Sequence, residues 1–305
     1  MYRKNRKFLA GFILLACFIL LSFIGPLVAP YEEDYSKSIG YIQTEKGEQM
    51  TSPPFPPSKE FIFGTDKWGY DLLTLMLHGA KYTVIGTILI ALSRVILGGL
   101  TGIISGLRKG AEKPSRTSIP IFSSIPSFII IYFIMIGINI NPIIPEWGLI
   151  MIQSMLMIIL GVSGVHNVIS LKTIEVKKEQ YILASESFGA QKKHLMVKHI
   201  FPALKDNLFI ILVNEAILVL HLIGQLGIFN LFFGGTTQHF NPPVFLSITH
   251  EWSGLIGQAR GYMYLSQWIV LFPILAYILF LSSLYLISTG LNEIQRSNTR
   301  KDSLL

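Results

Sequence analysis

Six stretches of the chain are apolar almost without interruption, and polar segments separate them. The apolar stretches cover roughly residues 8–29, 82–107, 119–138, 148–166, 206–228 and 268–290. Each is close to the ~20 residues that an α-helix needs to cross a bilayer. None of them alternates between apolar and polar positions as the strands of a membrane barrel do. The pattern therefore predicts an all-α, polytopic membrane protein with six transmembrane helices.

The placement of positive charge gives these helices a direction. The 305 residues have a formal net charge of +7, and 14% of them are charged, against about 25% in an ordinary soluble domain. Most lysines and arginines precede the first span, lie between spans two and three or four and five, or follow the sixth. Positive segments stay in the cytoplasm. We therefore expect a multi-pass protein of the cell membrane with both termini cytoplasmic and no nucleic-acid partner.

Changes in composition divide the chain into four parts. These are an N-terminal anchor helix (1–30), an external loop with an interfacial helix (31–81), a five-helix core (82–291) that contains a polar segment (172–202), and a cytoplasmic tail (292–305). The interfacial helix is inferred from the helical spacing of four residues. They are Leu72, Leu75, Met76 and Gly79. The single cysteine, Cys17, excludes a disulfide within the chain.

Three glycines of the second span recur at every fourth position. Gly98, Gly102 and Gly106 therefore share one face of a helix. Small residues at this spacing allow another helix to approach closely, which is the packing we predict. Glycines that face lipid are the alternative.

Two charged residues fall near the middle of predicted spans. Arg94 lies near the middle of the second span and Glu215 near the middle of the fifth, at similar depths. An unpaired charge at that depth costs ~3 kcal/mol or more. We predict that Arg94 and Glu215 form an ion pair inside the subunit. Contact with a peptide terminus in a translocation path and coincidence are the alternatives.

The sequence lacks the motifs of common catalytic and metal sites. His250-Glu251 has no second histidine four residues after the first, and the glycine-rich GGLTGIISG lacks the Lys-Ser/Thr of a phosphate-binding loop. His194 and His199 are five residues apart, a poor spacing for two ligands on one helix. We predict that the chain is not an enzyme and binds no metal or cofactor.

The polar stretch YILASESFGAQKKHLMVKHIFP, residues 181–202, separates two apolar spans. If this stretch is helical, small and aromatic side chains share one of its faces. They are Tyr181, Leu183, Ala184, Ser187 and Phe188. Gly189 is expected to end this helix, a second short helix follows over 191–200, and Pro202 opens the next span. Such an element suits insertion into a groove on a soluble partner. A basic amphipathic loop on anionic lipid is equally compatible.

The same stretch resembles the EAA signature of ABC-importer permeases. Ala184 and Ser185 stand for its two alanines, Leu183 replaces its glutamate, and Gly189 and Pro202 match in spacing. FGTDKWGYDLLTLMLHGAK resembles the LGTDxxGRDxxSRxxxGAR segment of oligopeptide and dipeptide permeases of the C-subunit type. The resemblance extends from about residue 24 to 291. The positions that depart from the family pattern, and leave the substrate class open, include Tyr70, Ile119, Asn167, Ser170 and Gln225.

The resemblance implies the type I ABC-importer permease fold and a pore subunit for peptides or similar small solutes. Its implied partners are a second homologous permease, two cytoplasmic ATPase subunits that bind ATP and Mg²⁺, and an external substrate-binding protein. The residues implied to couple to the ATPase are Tyr181, Ala184, Ser185, Glu186, Gly189, Ala190, His199 and Pro202.

Two other functions remain compatible with the sequence. One is a membrane scaffold or sensor component that has kept the permease fold without transporting, which the departures near the EAA-like stretch favour. The other is a proton-driven secondary transporter with Arg94 and Glu215 as the relay, although the spans contain no other carboxylate near their middle.

Overall fold

The structure, a computed structural model, describes residues 5–44, 47–108, 125–240 and 243–302, and gives the backbone alone for 41–44, 47–49 and 298–302. In chain order its elements are α1 (Arg6–Val28), β1 (Gly40–Thr44), β2 (Gly47–Thr51), α2 (Leu72–Gly106), α3 (Ser127–Asn139), α4 (Glu146–Lys177), α5 (Gln180–Ser187), α6 (Lys192–Leu195), a π-helical turn (Met196–Ile200), α7 (Phe201–Ile228), β3 (Thr236–His239), β4 (Val244–Ser247), α8 (Trp252–Ala259), a 3₁₀ turn (Arg260–Tyr262) and α9 (Trp268–Asp302).

The predicted helical membrane fold is confirmed. Five described helical segments are long and apolar enough to cross a bilayer: Arg6–Val28, Leu72–Gly106, Glu146–Lys177, Lys192–Ile228 and Trp268–Ser297. The third predicted span corresponds to α3, which has 13 residues. Such a helix rises about 20 Å, less than the ~30 Å of the hydrocarbon core. The predicted start of this span, 119–124, lies outside the described residues.

Helix α2 is longer than the sequence pattern indicated, because it begins at Leu72. The residues predicted to form an interfacial helix are helical, but they are the first turns of α2, so the boundary placed between residues 81 and 82 falls inside this helix. Burial explains why α2 already includes these residues, since Leu72, Leu75 and Met76 are all buried. The indole Nε1 of Trp252 donates a hydrogen bond to the Met76 carbonyl at 2.9 Å, which fixes this first part of α2 against α8.

Two small antiparallel sheets lie in the connections between the helices, and neither was predicted. In the first, β1 pairs with β2 and Gly40 lies opposite Thr51. In the second, β3 pairs with β4 and Thr236 lies opposite Ser247. Both sheets occupy segments that the charge pattern assigns to the external side, so the other end of the helices carries the polar stretch 181–202.

Candidate functional site

Backbone hydrogen bonds fix the shape of residues 181–202, which we call the strip. The Ala190 N–H donates to the Ser185 carbonyl at 3.1 Å, and the Gly189 N–H donates to the Glu186 carbonyl at 2.9 Å. Gly189 has a φ angle of +81°, in the left-handed region that residues with a side chain disfavour. These features are those of a glycine-terminated Schellman motif. Gly189 therefore ends α5, as the sequence predicted.

Buried apolar side chains attach the strip to three long helices. Ile182, Leu195 and Ile200 of the strip are almost fully buried. They belong to one apolar cluster that joins the strip to α2, α4 and the first turn of α7. Its buried members are Ile103, Leu107, Val165, Ile169, Ile182, Leu195, Ile200 and Leu204. The strip is thus held against the ends of these helices on one side.

The other side of the strip is exposed and carries apolar and aromatic residues. The side chain of Phe188 is 92% exposed, and Tyr181 and Leu183 are about half exposed. The predicted small and aromatic face is therefore largely uncovered by the described chain. A group of exposed apolar side chains on an otherwise polar segment is typical of a surface that contacts another molecule.

The remaining residues implied to couple lie beside this face. Ala184 and Glu186 are exposed, and Ser185 and Ala190 are half-buried. The ring of His199 lies 5.9 Å from that of Tyr181, measured between centroids. This contact joins α5 to the second half of the strip.

The second half of the strip is continuous with α7. Pro202 lies in the first turn of α7, as predicted, but the helical backbone already runs from Lys192. The π-helical turn Met196–Ile200 lies between α6 and α7, and the Phe201 N–H donates to the Met196 carbonyl across it. A proline inside a helix removes a hydrogen bond and its ring crowds the preceding turn. A wider turn just before Pro202 accommodates that crowding.

The three predicted packing glycines of α2 all lie against α4. A Cβ atom would be 2.6 Å from the Val165 Cβ at Gly98 and 2.6 Å from the Thr173 Cβ at Gly106. At Gly102 it would be 2.8 Å from a main-chain oxygen of α4, that of His166. The contact advances by four residues along both helices, so α2 and α4 run parallel at close approach.

Arg94 lies on the same face of α2 as these glycines, four residues before Gly98. Its Nη1 donates to Glu215 Oε2 of α7 at 3.0 Å. Its Nε and Nη2 donate to the main-chain oxygen of Met157 in α4, at 3.0 and 2.7 Å. A Cβ at Gly161 of α4 would collide with the guanidinium. The structure thus brings the two predicted charges together and adds α4 as a third partner.

A cavity of about 720 Å³ lies beside this ion pair, between α3, α4 and α7. Arg94 and Glu215 form part of its wall. Its other polar side chains are Ser127, Ser163, Asn167, His221 and Gln225. The Asn167 Oδ1 atom is buried and has no hydrogen-bond partner among the described residues. The cavity is therefore a largely neutral, hydrogen-bonding surface at the depth of a membrane span.

Three carboxyl groups of the external segments are buried and act as caps of turns and helices. Asp66 accepts hydrogen bonds from the Trp68 and Tyr70 N–H groups at 2.8 and 3.0 Å, and burial raises its pKa to about 6. Asp71 caps α2 by accepting from the Thr74 N–H at 2.8 Å, and burial raises its pKa as well.

Glu251 is the most deeply buried of these carboxyl groups. It caps α8 by accepting hydrogen bonds from the N–H and the hydroxyl of Ser253, both at 2.8 Å. Desolvation by burial raises its pKa to about 7. The two aspartates in the stretch that resembles a family segment thus stabilise local structure, as does Glu251.

The described residues contain no group of three or more His, Cys, Asp or Glu side chains arranged to hold a metal ion. Three residues of the site were not predicted from the sequence: Met157, Gly161 and His221. A signal for Gly161 does exist, because it precedes Val165 by four residues on the face of α4 that the α2 glycines contact. No sequence pattern indicates the contact with the Met157 carbonyl, since every residue has a main-chain oxygen.

Comparison with known proteins identifies two families along the chain. Residues 95–301 match the family described as binding-protein-dependent transport system inner membrane component. Residues 1–54 match the N-terminal transmembrane domain of oligopeptide transport permease C.

Individual relatives agree with these matches. The chain is 28% identical over 202 residues to the oligopeptide transport system permease protein OppC of Bacillus subtilis, covering 66% of the chain and 60% of that protein. It is 23% identical over 201 residues to the dipeptide transport system permease protein DppC of the same species, covering 66% of the chain and 57% of DppC. The matches thus span less than two thirds of these two relatives. The peptide transport system permease protein SapC of Haemophilus influenzae is 26% identical over 295 residues, which are 96% of the chain and 90% of SapC.

The resemblance seen in the sequence is therefore confirmed. The first family match covers about two thirds of the chain and includes the last third of α2, the cavity apart from Arg94, the strip and nearly all of α9. Transport permeases of this kind are not enzymes, and the apolar helices agree with a multi-pass membrane protein. The chain belongs to the family of binding-protein-dependent transport system inner membrane components.

Proposed function

We propose that the chain is the permease subunit of an ATP-driven importer, forms half of its translocation pore and receives the force for transport through the strip. The observation that carries the proposal is the two-sided structure of the strip. One side exposes Tyr181, Leu183 and Phe188, and the other side is buried against α2, α4 and α7. A partner that binds the exposed side and moves would displace all three helices.

Each residue of the strip has a distinct part in this coupling. Tyr181 and Ala184 belong to the exposed face, with Ser185 and Glu186 at its edge. Gly189 and Ala190 set the angle at which α5 leaves the second half of the strip, through the backbone bonds already described. The ring of His199 packs against Tyr181. Pro202 lies where a displacement of the strip is transmitted to α7.

In this proposal, the cavity beside Arg94 and Glu215 is the part of the translocation pore that this chain contributes. Its volume of about 720 Å³ is within the range of small-molecule sites. Neutral amide and hydroxyl groups can hydrogen-bond to many peptide main chains without selecting one side chain. The names of the relatives, which refer to oligopeptide, dipeptide and peptide transport, support peptides or similar small solutes as cargo.

The remaining partners follow from the same proposal. A second homologous permease completes the pore, two cytoplasmic ATPase subunits bind ATP and Mg²⁺, and an external substrate-binding protein delivers the cargo. The lipid bilayer surrounds the spans, with both termini in the cytoplasm.

Two alternatives are less well supported. A proton relay is disfavoured because the Glu215 carboxylate is paired with Arg94, whose other donors contact Met157. A non-transporting scaffold would need no exposed apolar face on the strip.

Co-purification from membranes in mild detergent tests the proposal. We expect the tagged chain to bring down two ATPase subunits and a second permease. Phe188→Asp places a charge on the exposed face and should remove the ATPases while the second permease is retained. Tyr264→Asp is the matched control, since Tyr264 is also 92% exposed but lies in the segment between α8 and α9.

The outcomes separate the alternatives. Loss of the ATPases with Phe188→Asp alone supports coupling through the strip. Retention of the ATPases in this variant would show that they bind a different surface of the chain. Absence of any ATPase from the wild-type chain, with the second permease present, favours the scaffold function.

A further inference from the structure

The Arg94 side chain joins the two helices that enter and leave the strip. Helix α4 leads into α5, and α7 continues from the π-helical turn. We propose that Arg94 is a positioning residue that clamps α4 to α7 within the membrane, so that both helices tilt as one body when the strip moves. This inference rests on the proposed function, because the clamp matters only if motion of the strip drives transport.

The hydrogen bonds of Arg94 require an arginine rather than any cation. Two of its nitrogens, Nε and Nη2, donate to the Met157 carbonyl, and the third, Nη1, donates to Glu215. The planar guanidinium directs donors along two edges, so it can hold two partners on different helices at once. A lysine ammonium is a single point of charge on a flexible stem. It could pair with Glu215 but would not hold α4 in the same geometry.

Gly161 provides the space through which the Arg94 side chain reaches α4. A Cβ at this position would overlap the Arg94 Nε, Cζ and Cδ atoms. Any side chain at 161 would therefore displace the guanidinium from the Met157 carbonyl. Both charges would still be present, so a change at Gly161 tests the geometry of the clamp separately from its electrostatics.

The clamp is not the one link between α4 and α7. Nearer the strip, Val165 and Ile169 of α4 belong to the same apolar cluster as Leu204 of α7, and the Lys172 Nζ of α4 donates to the Asn207 Oδ1 of α7 at 3.1 Å. Arg94 is 4% exposed, and separating two charges within a membrane is unfavourable. The ion pair should therefore stay closed during the transport cycle. Since the pair also borders the cavity, a joint tilt of α4 and α7 changes the cavity directly.

The ratio of peptide transported to ATP hydrolysed tests the clamp. It is measured on the co-purified assembly in proteoliposomes, with a radiolabelled tripeptide mixture as cargo. We expect Gly161→Ala to lower this ratio about fivefold while the assembly still hydrolyses ATP. Gly137→Ala is the matched control, because a Cβ at Gly137 in α3 meets no atom within 4 Å. An unchanged ratio in Gly161→Ala would overturn the inference.

Arg94→Lys is the second variant, and it decides the question if Gly161→Ala does not assemble. It keeps the charge beside Glu215 and adds no bulk. The clamp predicts a ratio about fivefold below that of the wild type. A wild-type ratio in Arg94→Lys would mean that the ion pair alone is sufficient, which contradicts a clamp on α4.

A measurement on the isolated chain separates this inference from the proposed function. Spin labels at Leu171 and Phe209, in a Cys17→Ser background, report the distance between the strip-proximal ends of α4 and α7. Gly161→Ala should broaden that distance distribution and Gly137→Ala should not. Equal widths would refute the clamp. A wild-type assembly without ATP-driven uptake would instead refute the proposed function.

Discussion

The φ angle of +81° at Gly189 determines where α5 ends. A Cβ at this position would meet no atom of the described residues within 4 Å, so a side chain here is opposed by backbone conformation and not by lack of space. We expect Gly189→Ala to destabilise the end of α5 by about 1 kcal/mol. Gly189→Asn should cost less, since asparagine adopts the left-handed conformation more readily.

Hydrogen–deuterium exchange of the peptide covering 181–190 measures this effect. The Gly189 and Ala190 N–H groups should exchange fastest in the alanine variant, at an intermediate rate in the asparagine variant and slowest in the wild type. The same rate in all three proteins would show that the strip does not depend on this angle.

Glu251 is a second residue whose environment has a measurable consequence. Burial raises the pKa of its carboxyl group from an ordinary value of 4.5 to about 7. The folded state therefore binds this proton more tightly than the unfolded state does. The stabilisation is complete below about pH 4.5, decreases as the pH rises from there to about 7, and is lost above that. Its full size is about 3 kcal/mol.

Thermal unfolding of the purified chain between pH 4.5 and 8 tests this prediction. Glu251→Gln removes the titrating group but keeps an oxygen that can accept a bond from Ser253. The melting temperature of the wild type should fall relative to that of Glu251→Gln as the pH rises to about 7. Parallel curves for the two proteins would show that Glu251 does not bind the proton in this way.

At the scale of helices, the close contact of α2 with α4 depends on which glycine faces the partner. A Cβ at Gly102 would lie 2.8 Å from the His166 carbonyl oxygen, a main-chain atom that cannot move aside without displacing α4. At Gly99, three residues earlier, the nearest atom is the Leu208 Cδ2 at 3.6 Å, an ordinary contact. We expect Gly102→Ala to destabilise the protein by about 1–3 kcal/mol and Gly99→Ala to have little effect.

Thermal unfolding in detergent compares the two variants directly, since both add one methyl group to neighbouring positions of the same helix. A lower melting temperature for Gly102→Ala alone supports the packing of α2 on α4. Equal melting temperatures in the two variants would mean that the face containing Gly98, Gly102 and Gly106 does not carry the contact.

Sequence patterns predicted the helices where one physical requirement acts along the chain. An uninterrupted apolar run must cross the bilayer, so the five long spans were found. The continuity of the second span with the helix from Leu72 was missed. The first part of this helix packs against Trp252, which is distant in sequence and donates to the Met76 carbonyl. The π-helical turn before Pro202 was missed for a similar reason, since a proline in a first turn gives no sign that the helix already began at Lys192.

For the whole molecule, the sequence predicted which residues belong to the site more fully than it predicted the contacts between them. A charge at mid-membrane depth needs a partner, and that requirement alone was sufficient to place Arg94 beside Glu215. The contact of Arg94 with the Met157 carbonyl depends on the register of α2 against α4, which only the fold determines. The cavity likewise requires α7 to lie beside α3 and α4, which are distant from it in sequence.

The orientation of the whole molecule is the remaining prediction. The proposed function requires the strip in the cytoplasm, where ATP is, and the segment between α8 and α9 outside. Phe188 and Tyr264 are suitable reporters, since each is 92% exposed. Because Cys17 is the one cysteine of the sequence, a Cys17→Ser background allows a single cysteine at either position.

A membrane-impermeant maleimide applied to intact cells should label Tyr264→Cys and not Phe188→Cys. Inside-out membrane vesicles should give the reverse pattern, which controls for the reactivity of each position. Labelling of Phe188→Cys from outside the cell would place the strip on the side that lacks ATP. That result would contradict coupling to an ATPase, whereas the clamp between α4 and α7 within the chain would still stand to be tested by the spin-label distances.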